Sequence, residues 1–276
     1  ARAMMDSFEI GRLVELHGLS RADLNGQRGF ILSWDATKER WGVQCGESAL
    51  NVRPTNLQAV PPPSTGTDEA LEKAEEAVRL LNQARATSGA ATKKSLVAEA
   101  TAVLDAAAAL DMGCAMIHQL RGDMAHMAGN NAHMVLHMRR AVANTRGSNV
   151  QVASQRLGLA NALGETGDDT GEEEQVRRVL STFPAHIHAR FCLAQCLSRA
   201  GRHDEAIPEF MMSLQLPNDD PPIQEQTLMQ LRAASRSSLC NELGRRGTVQ
   251  QRRRASTRRR LRHSAGCSRS RASTPT

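Results

Sequence analysis

Three side chains with metal-binding chemistry recur at helical spacing: His188, Cys192 and Cys196, with His186 close by. Imidazole and thiol suit soft and borderline ions, so a zinc or copper site is the first chemistry to weigh. On one helix, however, the three span ~12 Å, too far for a single ion to bridge. A second group, Met124, His126 and Met127 followed by His133, Met134, His137 and Met138, combines thioethers with imidazoles, the donor set of copper(I). Yet the chain holds five Phe, two Trp and no Tyr, and in a core so poor in rings methionine is the natural filler of gaps. Both groups read as packing, with no metal and no cofactor. There is no GxSxG, no HExxH and no nucleophile with a legible base, so the expectation is a non-catalytic chain.

Composition narrows the class further. The 276 residues suffice for one large domain or two modest ones. No apolar run approaches 18 residues, so no membrane span is expected. The six cysteines form no CxxC and read as reduced, mostly buried thiols of an intracellular protein, cytoplasmic or nuclear. The net charge of +6 conceals a division. Residues 245–276 carry 11 arginines and no acid; with those set aside, 24 basic residues face 29 acidic ones. An acidic body carries a basic tail, so any electrostatic argument for nucleic acid belongs to the tail alone.

The elements that must position these groups fall into four segments. Residues 8–60 hold both tryptophans and short alternating runs: Leu13 to Leu16, Gly29 to Leu32, Trp41 to Val43 and Leu50 to Val52. Turn formers separate them, which predicts a small antiparallel β-barrel that docks on its neighbour. Within it, Gly26-Gln27-Arg28-Gly29 has the spacing of a nucleic-acid clamp, but such a clamp needs flanking helices and here strands are expected. The reading is a turn at Asn25-Gly26 and a bulge or close crossing at Gly29. Val14, Leu16 and Gly18, with Gly26, Gly29 and Ile31, resemble the KOW-type barrel of ribosomal and transcription proteins, over about 20 residues. Residues 61–67 form a proline-rich linker, stiff and poor in donors.

From 68 to 243 the apolar spacing is helical. Ala70, Leu71, Ala74, Ala77, Val78 and Leu81 mark one helix, and a second is expected from Thr92 to Leu110. Then Leu159-Ala160-x-x-Leu163-x-x-x-Gly167 recurs 34 residues later as Leu193-Ala194-x-x-Leu197-x-x-x-Gly201. Arg156 and Arg190 match at the same offset. A looser unit precedes them, with Gly122, Gly129, Met138 and Ala141, and the loop from Asn144 to Asn149 is about four residues longer than such units carry. This period and spacing resemble the tetratricopeptide repeat, with Asp204 to Ala206, Phe210 and Pro217 completing the best unit. Glu172 departs from it, standing where the pattern has alanine. The fold expected is mainly α, a TPR-like α-solenoid of helix-turn-helix repeats behind a small β-barrel. A final helix with Leu228, Leu231 and Leu239 would cap the array.

The resemblance implies a concave groove lined by the first helix of each repeat, which takes a peptide or partner helix. Carried across, the groove residues are Gln119, Asp123 and His126, then Asn161 and Glu165, then His188, Gln195 and Arg199. Members that grip a C-terminal carboxylate use Lys, Asn and Arg, where this chain has Gln119, Asp123, His188 and Cys192; that clamp is absent. In the tail, residues 244–276, Arg252, Arg253, Arg254, Arg258, Arg259, Arg260 and Arg262 form clusters suited to nucleic-acid phosphates. Ser256 and Ser273 follow basic residues as kinase acceptor sites do, and phosphate there would weaken such contacts. The function expected is therefore a protein-binding adaptor. The alternative is an RNA-associated protein using the barrel and tail.

Overall fold

The computed structural model describes residues 8–60, 67–145, 147–217, 225–226, 228–245 and 247. Most of the linker and the whole arginine-rich stretch from Arg252 to Arg262, with Ser256 and Ser273, lie outside them, as do Pro221 to Ile223. The chain divides into two compact units, residues 1–168 and 169–276.

The first unit opens with a five-stranded antiparallel sheet: β1 (Leu13–Leu16), β2 (Arg28–Asp35), β3 (Arg40–Cys45), β4 (Ser48–Val52) and β5 (Leu57–Ala59). The strand order is β4-β3-β2-β1-β5, so four strands meander and the fifth returns to pair with the first. Gly26 takes φ +83°, in open space, and makes the expected turn. Gly29 is a close crossing: a Cβ there would sit 2.5 Å from the Gln44 carbonyl oxygen. The irregularity in the β2–β3 ladder falls instead between Ile31 and Ser33. Val14, Leu16, Ile31, Trp41 and Val43 fill one side of the sheet. Leu13, Phe30 and Val60 form a second apolar cluster. Burial on both faces is why Gly29 to Ile31 reads as an unbroken apolar run rather than an alternating one.

Five helices complete this unit: α1 (Thr67–Ala86), α2 (Ala90–Leu110), α3 (Ala115–Met127), α4 (Asn131–Asn144) and α5 (Asn149–Glu165). The helix expected from Thr92 begins two residues earlier. Alanines dominate the α1–α2 contact, with Ala74, Ala77, Ala100 and Ala107 fully buried beside Leu81 and Leu104. Small side chains let two helix backbones approach closely without losing helix propensity. Farther on, Met134 and Met138 join Val142, Leu159 and Leu163 in a core, and Met138 lies where a Cβ on Gly122 would collide with it. The long loop before α5 is closed by a capping box, Ser148 with Gln151.

The second unit contains α6 (Asp169–Thr182), α7 (Ile187–Arg199), α8 (His203–Gln215) and a helix α9 over residues 228–245. Phe191, Leu193, Leu197 and Phe210 are buried here. Pro208 sits inside α8, in its second turn. The last helix packs as a cap: Leu228 is buried, Ser235 bonds Ser213 at 2.8 Å, and Arg232 donates to the Leu216 carbonyl at 3.1 Å.

One turn recurs and defines the repeat. Gly129, Gly167 and Gly201 follow α3, α5 and α7 with φ of +71°, +80° and +74°. After each, the next amide reaches back: Asn130 to Ala125, Asp168 to Leu163 and Arg202 to Leu197, at 2.8 to 3.0 Å. This left-handed closure stops a helix and frees the chain to start an antiparallel one. The chain is thus mainly α, built of TPR-like helix-turn-helix repeats behind a small antiparallel sheet.

Candidate functional site

In the first unit the predicted groove residues fall on two neighbouring first helices, α3 and α5. Gln155 donates to Gln119 Oε1 at 2.7 Å, and His126 Nδ1 lies 3.1 Å from Glu165. Residue numbers rise together along the two rungs, so the helices run in the same direction, as first helices of successive repeats do. Asp123 and Asn161 fall between the rungs in sequence; Asn161 is exposed and Asp123 half-buried. Burial raises the Asp123 carboxyl above its ordinary range, with Arg85 and His126 opposing the shift. Five of the eight predicted residues thus stand on two bridged helices.

Beside them opens a cavity of about 480 Å³. Leu71, Cys114, Ala115 and Met116 supply apolar lining; Gln119, Gln151, Ser154 and Gln155 supply amides and a hydroxyl. Among the described residues its lining includes one acid, Asp111, which is buried and accepts the Gly113 amide at 2.9 Å. Such a surface can bury an uncharged side chain and satisfy a peptide backbone with donors and acceptors alike. Thr67, Leu71, Gln151, Ser154 and Gln155 were not foreseen. Gln155 was the one within reach, since it lies near one repeat period after Gln119.

The sheet is bolted to α4 and α3. Asn144 accepts the Leu13 amide at 3.0 Å and donates to the Gly11 and Arg140 carbonyls at 2.8 and 2.7 Å. Arg12 donates to the Ala143 carbonyl at 2.7 Å. Arg140 lies 4.2 Å over the Phe30 ring, and His118 meets the same ring edge-on at 5.0 Å. His118 and His137 stack at 5.7 Å. Burial drives both imidazoles down, His118 to about 3 and His137 to about 4, with Arg140 adding to each shift. Burial likewise lowers Arg140, to about 10. The predicted docking of the sheet is therefore real, and the histidine–methionine group of the sequence contributes His137 to it.

The other three predicted residues lie on α7 in the second unit. His188 is half-buried, and burial lowers its pKa; Gln195 and Arg199 are exposed. Arg199 is engaged: its guanidinium bonds Asp169 at 3.3 Å and grips Glu172. Glu172, the departure from the repeat pattern, is buried at 5% exposure. Burial pushes its carboxyl up, and Arg199 only partly offsets this. Cys196 stands against the same acids, and burial raises the Cys192 and Cys196 thiols to about 12 and about 11. A second buried carboxylate, Glu242 of α9, is held by Ser198, by His203 at 2.5 Å and by Arg245 at 3.1 Å. The second unit's polar groups mostly satisfy one another.

No model of a protein family matches the chain, and no curated protein matches it. Solved structures do. YrrB, a TPR protein with an unusual peptide-binding site, is 16% identical, covering 63% of this chain and 84% of its own, with TM-score 0.38. MamA from AMB-1 is 18% identical over 66% of this chain and 89% of its own, with TM-score 0.42. The Cut9–Hcn1 hetero-tetramer of the APC/C gives 13% identity over 61% of this chain and 33% of the matched one, with TM-score 0.42. Among the described residues, no helix is long and apolar enough to cross a membrane.

Proposed function

We propose that the chain is a non-catalytic adaptor whose first unit binds a peptide or partner helix in the groove beside α3 and α5. The observation that carries this reading is the cavity of about 480 Å³, apolar on one part of its described lining and amide-bearing on the other, next to two bridged first helices. The amides and hydroxyls of the described lining suit the backbone and uncharged side chains of such a ligand. Asp123, His126, Asn161 and Glu165 extend the contact along the same helices. His188, Gln195 and Arg199 offer a separate face in the second unit, where Arg199 must release its acids before it meets a partner.

A random peptide library selected against the full-length chain tests this. Selected peptides should lose at least tenfold in affinity when Met116→Glu places a charge in the groove, an effect on the order of 1.4 kcal/mol or more. Arg199→Glu should leave them unchanged. Equal affinity for wild type and Met116→Glu would sink the groove reading, provided circular dichroism shows the variant folded.

The RNA-associated alternative has one structural support. A meander closed by a fifth strand on the first, in the order β4-β3-β2-β1-β5, suits a small KOW-like or Src-homology-3-like barrel. Binding through that module would persist after residues 245–276 are removed and would fall steeply with salt. Loss of all RNA binding on that truncation would leave only tail electrostatics.

A further inference from the structure

The residues that fasten the sheet also shape the cavity. Asn144 lines it, and the same side chain accepts the Leu13 amide and donates to the Gly11 carbonyl. Asp111, Gly113 and Cys114 line it from the short connection between α2 and α3. His118 holds that connection: its Nε2 lies 3.0 Å from the Met112 carbonyl oxygen, and its ring meets Phe30 of β2 edge-on at 5.0 Å. Two parts of the cavity wall are therefore tied to the sheet, one through Asn144 and one through His118.

His118 is badly placed to take a second proton. A carbonyl oxygen partners only a donor, so Nε2 carries the hydrogen and Nδ1 is a lone pair. Among the described residues that Nδ1 is buried without a hydrogen-bond partner, and so are Nδ1 of His137 and Nε of Arg140. His137 stacks on His118 at 5.7 Å, and Arg140 lies 4.2 Å over Phe30. The charged groups around the pair are Arg121 and Arg140, which repel a proton on either ring, and His133, which does so for His137. Asp105 of α2 is bound to Arg121 at 2.5 Å, and β2 presents the neutral Phe30 ring. A proton added to the docked pair is a buried charge without a partner, whereas a ring released to water takes one near pH 6.5. Acid therefore favours the undocked form, by about 30-fold per imidazole between pH 6.5 and pH 5. The sheet's main core, with Val14, Leu16, Ile31, Trp41 and Val43, is separate from the Leu13, Phe30 and Val60 cluster, so undocking does not require its collapse.

We propose that docking of the sheet controls the cavity, with the His118–His137 pair as an acid-sensitive latch: protonation frees the sheet, and Asn144 and the 111–114 connection lose the contacts that hold them as walls. As a control on peptide binding, this rests on the cavity being where a peptide binds. Peptide in the cavity and protons on the pair then oppose each other, because each favours a different state of the dock. Binding at neutral pH and release on acidification follow.

The test is an amide shift series on the isotope-labelled full-length chain from pH 7.5 to pH 4.5, alone and with a library-selected peptide. Without peptide, Leu13 and Phe30 at the dock and Gly113, Cys114 and Asn144 at the cavity should move with one common midpoint. Ala77 and Leu104, in the α1–α2 core, should hold their positions. Separate midpoints at dock and cavity would overturn the proposal, and so would a transition that Ala77 and Leu104 share, since that is unfolding of the whole unit. His118→Gln keeps a donor for the Met112 carbonyl and His137→Phe keeps a ring in the stack; the two combined should remove the transition, and a transition unchanged in that variant would contradict the latch. With peptide, affinity should fall by at least about tenfold from pH 7 to pH 5 in wild type and by less than about threefold in the double variant. An equal fall in both would also overturn the proposal. Affinity that Met116→Glu leaves unchanged would sink the groove reading alone, and the series without peptide would still decide the latch.

Discussion

Arg156 and Arg190 occupy the same place in the repeat and do different work. Arg156 reaches Glu9, ahead of the sheet, at 3.4 Å. Arg190 turns onto its own hairpin, bonding Glu209 at 2.7 Å and the Pro184 carbonyl. The units differ in the same sense. The first turns basic and imidazole groups toward the β-sheet and leaves an amide-bearing cavity beside α3 and α5. The second ties α6, α7, α8 and α9 together with ion pairs, including Arg202 to Glu173 and Glu205 at 2.7 and 2.6 Å. One helical template has been used as a dock in the first case and as a self-satisfied block in the second. The lesson is that a repeat pattern specifies where a side chain points, while the neighbour it meets decides what it does.

The contrast can be broken most sharply at Gly11. With φ at +93° and the Arg139 carbonyl carbon 2.6 Å from any added Cβ, Gly11→Ala faces both strain and collision. A loss of about 3–5 kcal/mol is expected from that combination. Both tryptophans lie in the sheet, on β2 and β3, so urea unfolding followed by fluorescence would report it. Asn144→Ala removes two bonds between the sheet segment and α4, and one within α4, and should cost about 2–3 kcal/mol on the same reporter. A smaller cost than Arg190→Ala would mean that the sheet is not the more tightly anchored partner.

Acid probes the same dock by another route. His118 and His137 titrate near 3 and 4 when folded, against about 6.5 when exposed. Above pH 6.5 neither form binds the protons and stability is unaffected. As pH falls below that, the unfolded chain takes up protons that the folded one refuses, and stability declines toward the folded values. A loss of about 2 kcal/mol per imidazole, about 4 for the two, is expected by pH 5, read from urea midpoints across a pH series. The smallest effect belongs to the second unit. Arg199→Ala breaks an exposed pair with Asp169 and one with the buried Glu172, whose carboxyl burial already pushes up and which can take a proton instead, so the loss should stay at about 1–2 kcal/mol. Circular dichroism should show that small change, and a loss comparable to Asn144→Ala would erase the distinction between dock and block.

What the sequence made legible follows from which interactions are local. The 34-residue period was readable because Gly167 and Gly201 each end a helix by local closure, and only glycine takes that conformation without strain. Gln119, Asp123 and His126 could be placed along one helix, α3, because a helix face repeats every three or four residues. Glu172 was visible as a departure, but not its reason: Arg199 and the thiols come from the next helix, 27 residues away for Arg199. The dock was visible only as a need, since a small sheet lacks core. Asn144 lies 131 residues from Leu13, and no spacing rule connects them. Leu71 and Gln151 were missed for the same cause, because the cavity is made where α1, α3 and α5 converge.

The central claim is that the first unit's groove is where a partner binds. Its most direct test is an amide shift map of the isotope-labelled full-length chain, titrated with a library-selected peptide. The account predicts perturbations concentrated at Leu71, Met116, Gln119, Gln151, Ser154 and Gln155. Shifts confined to β1–β5 or to α7 would contradict it.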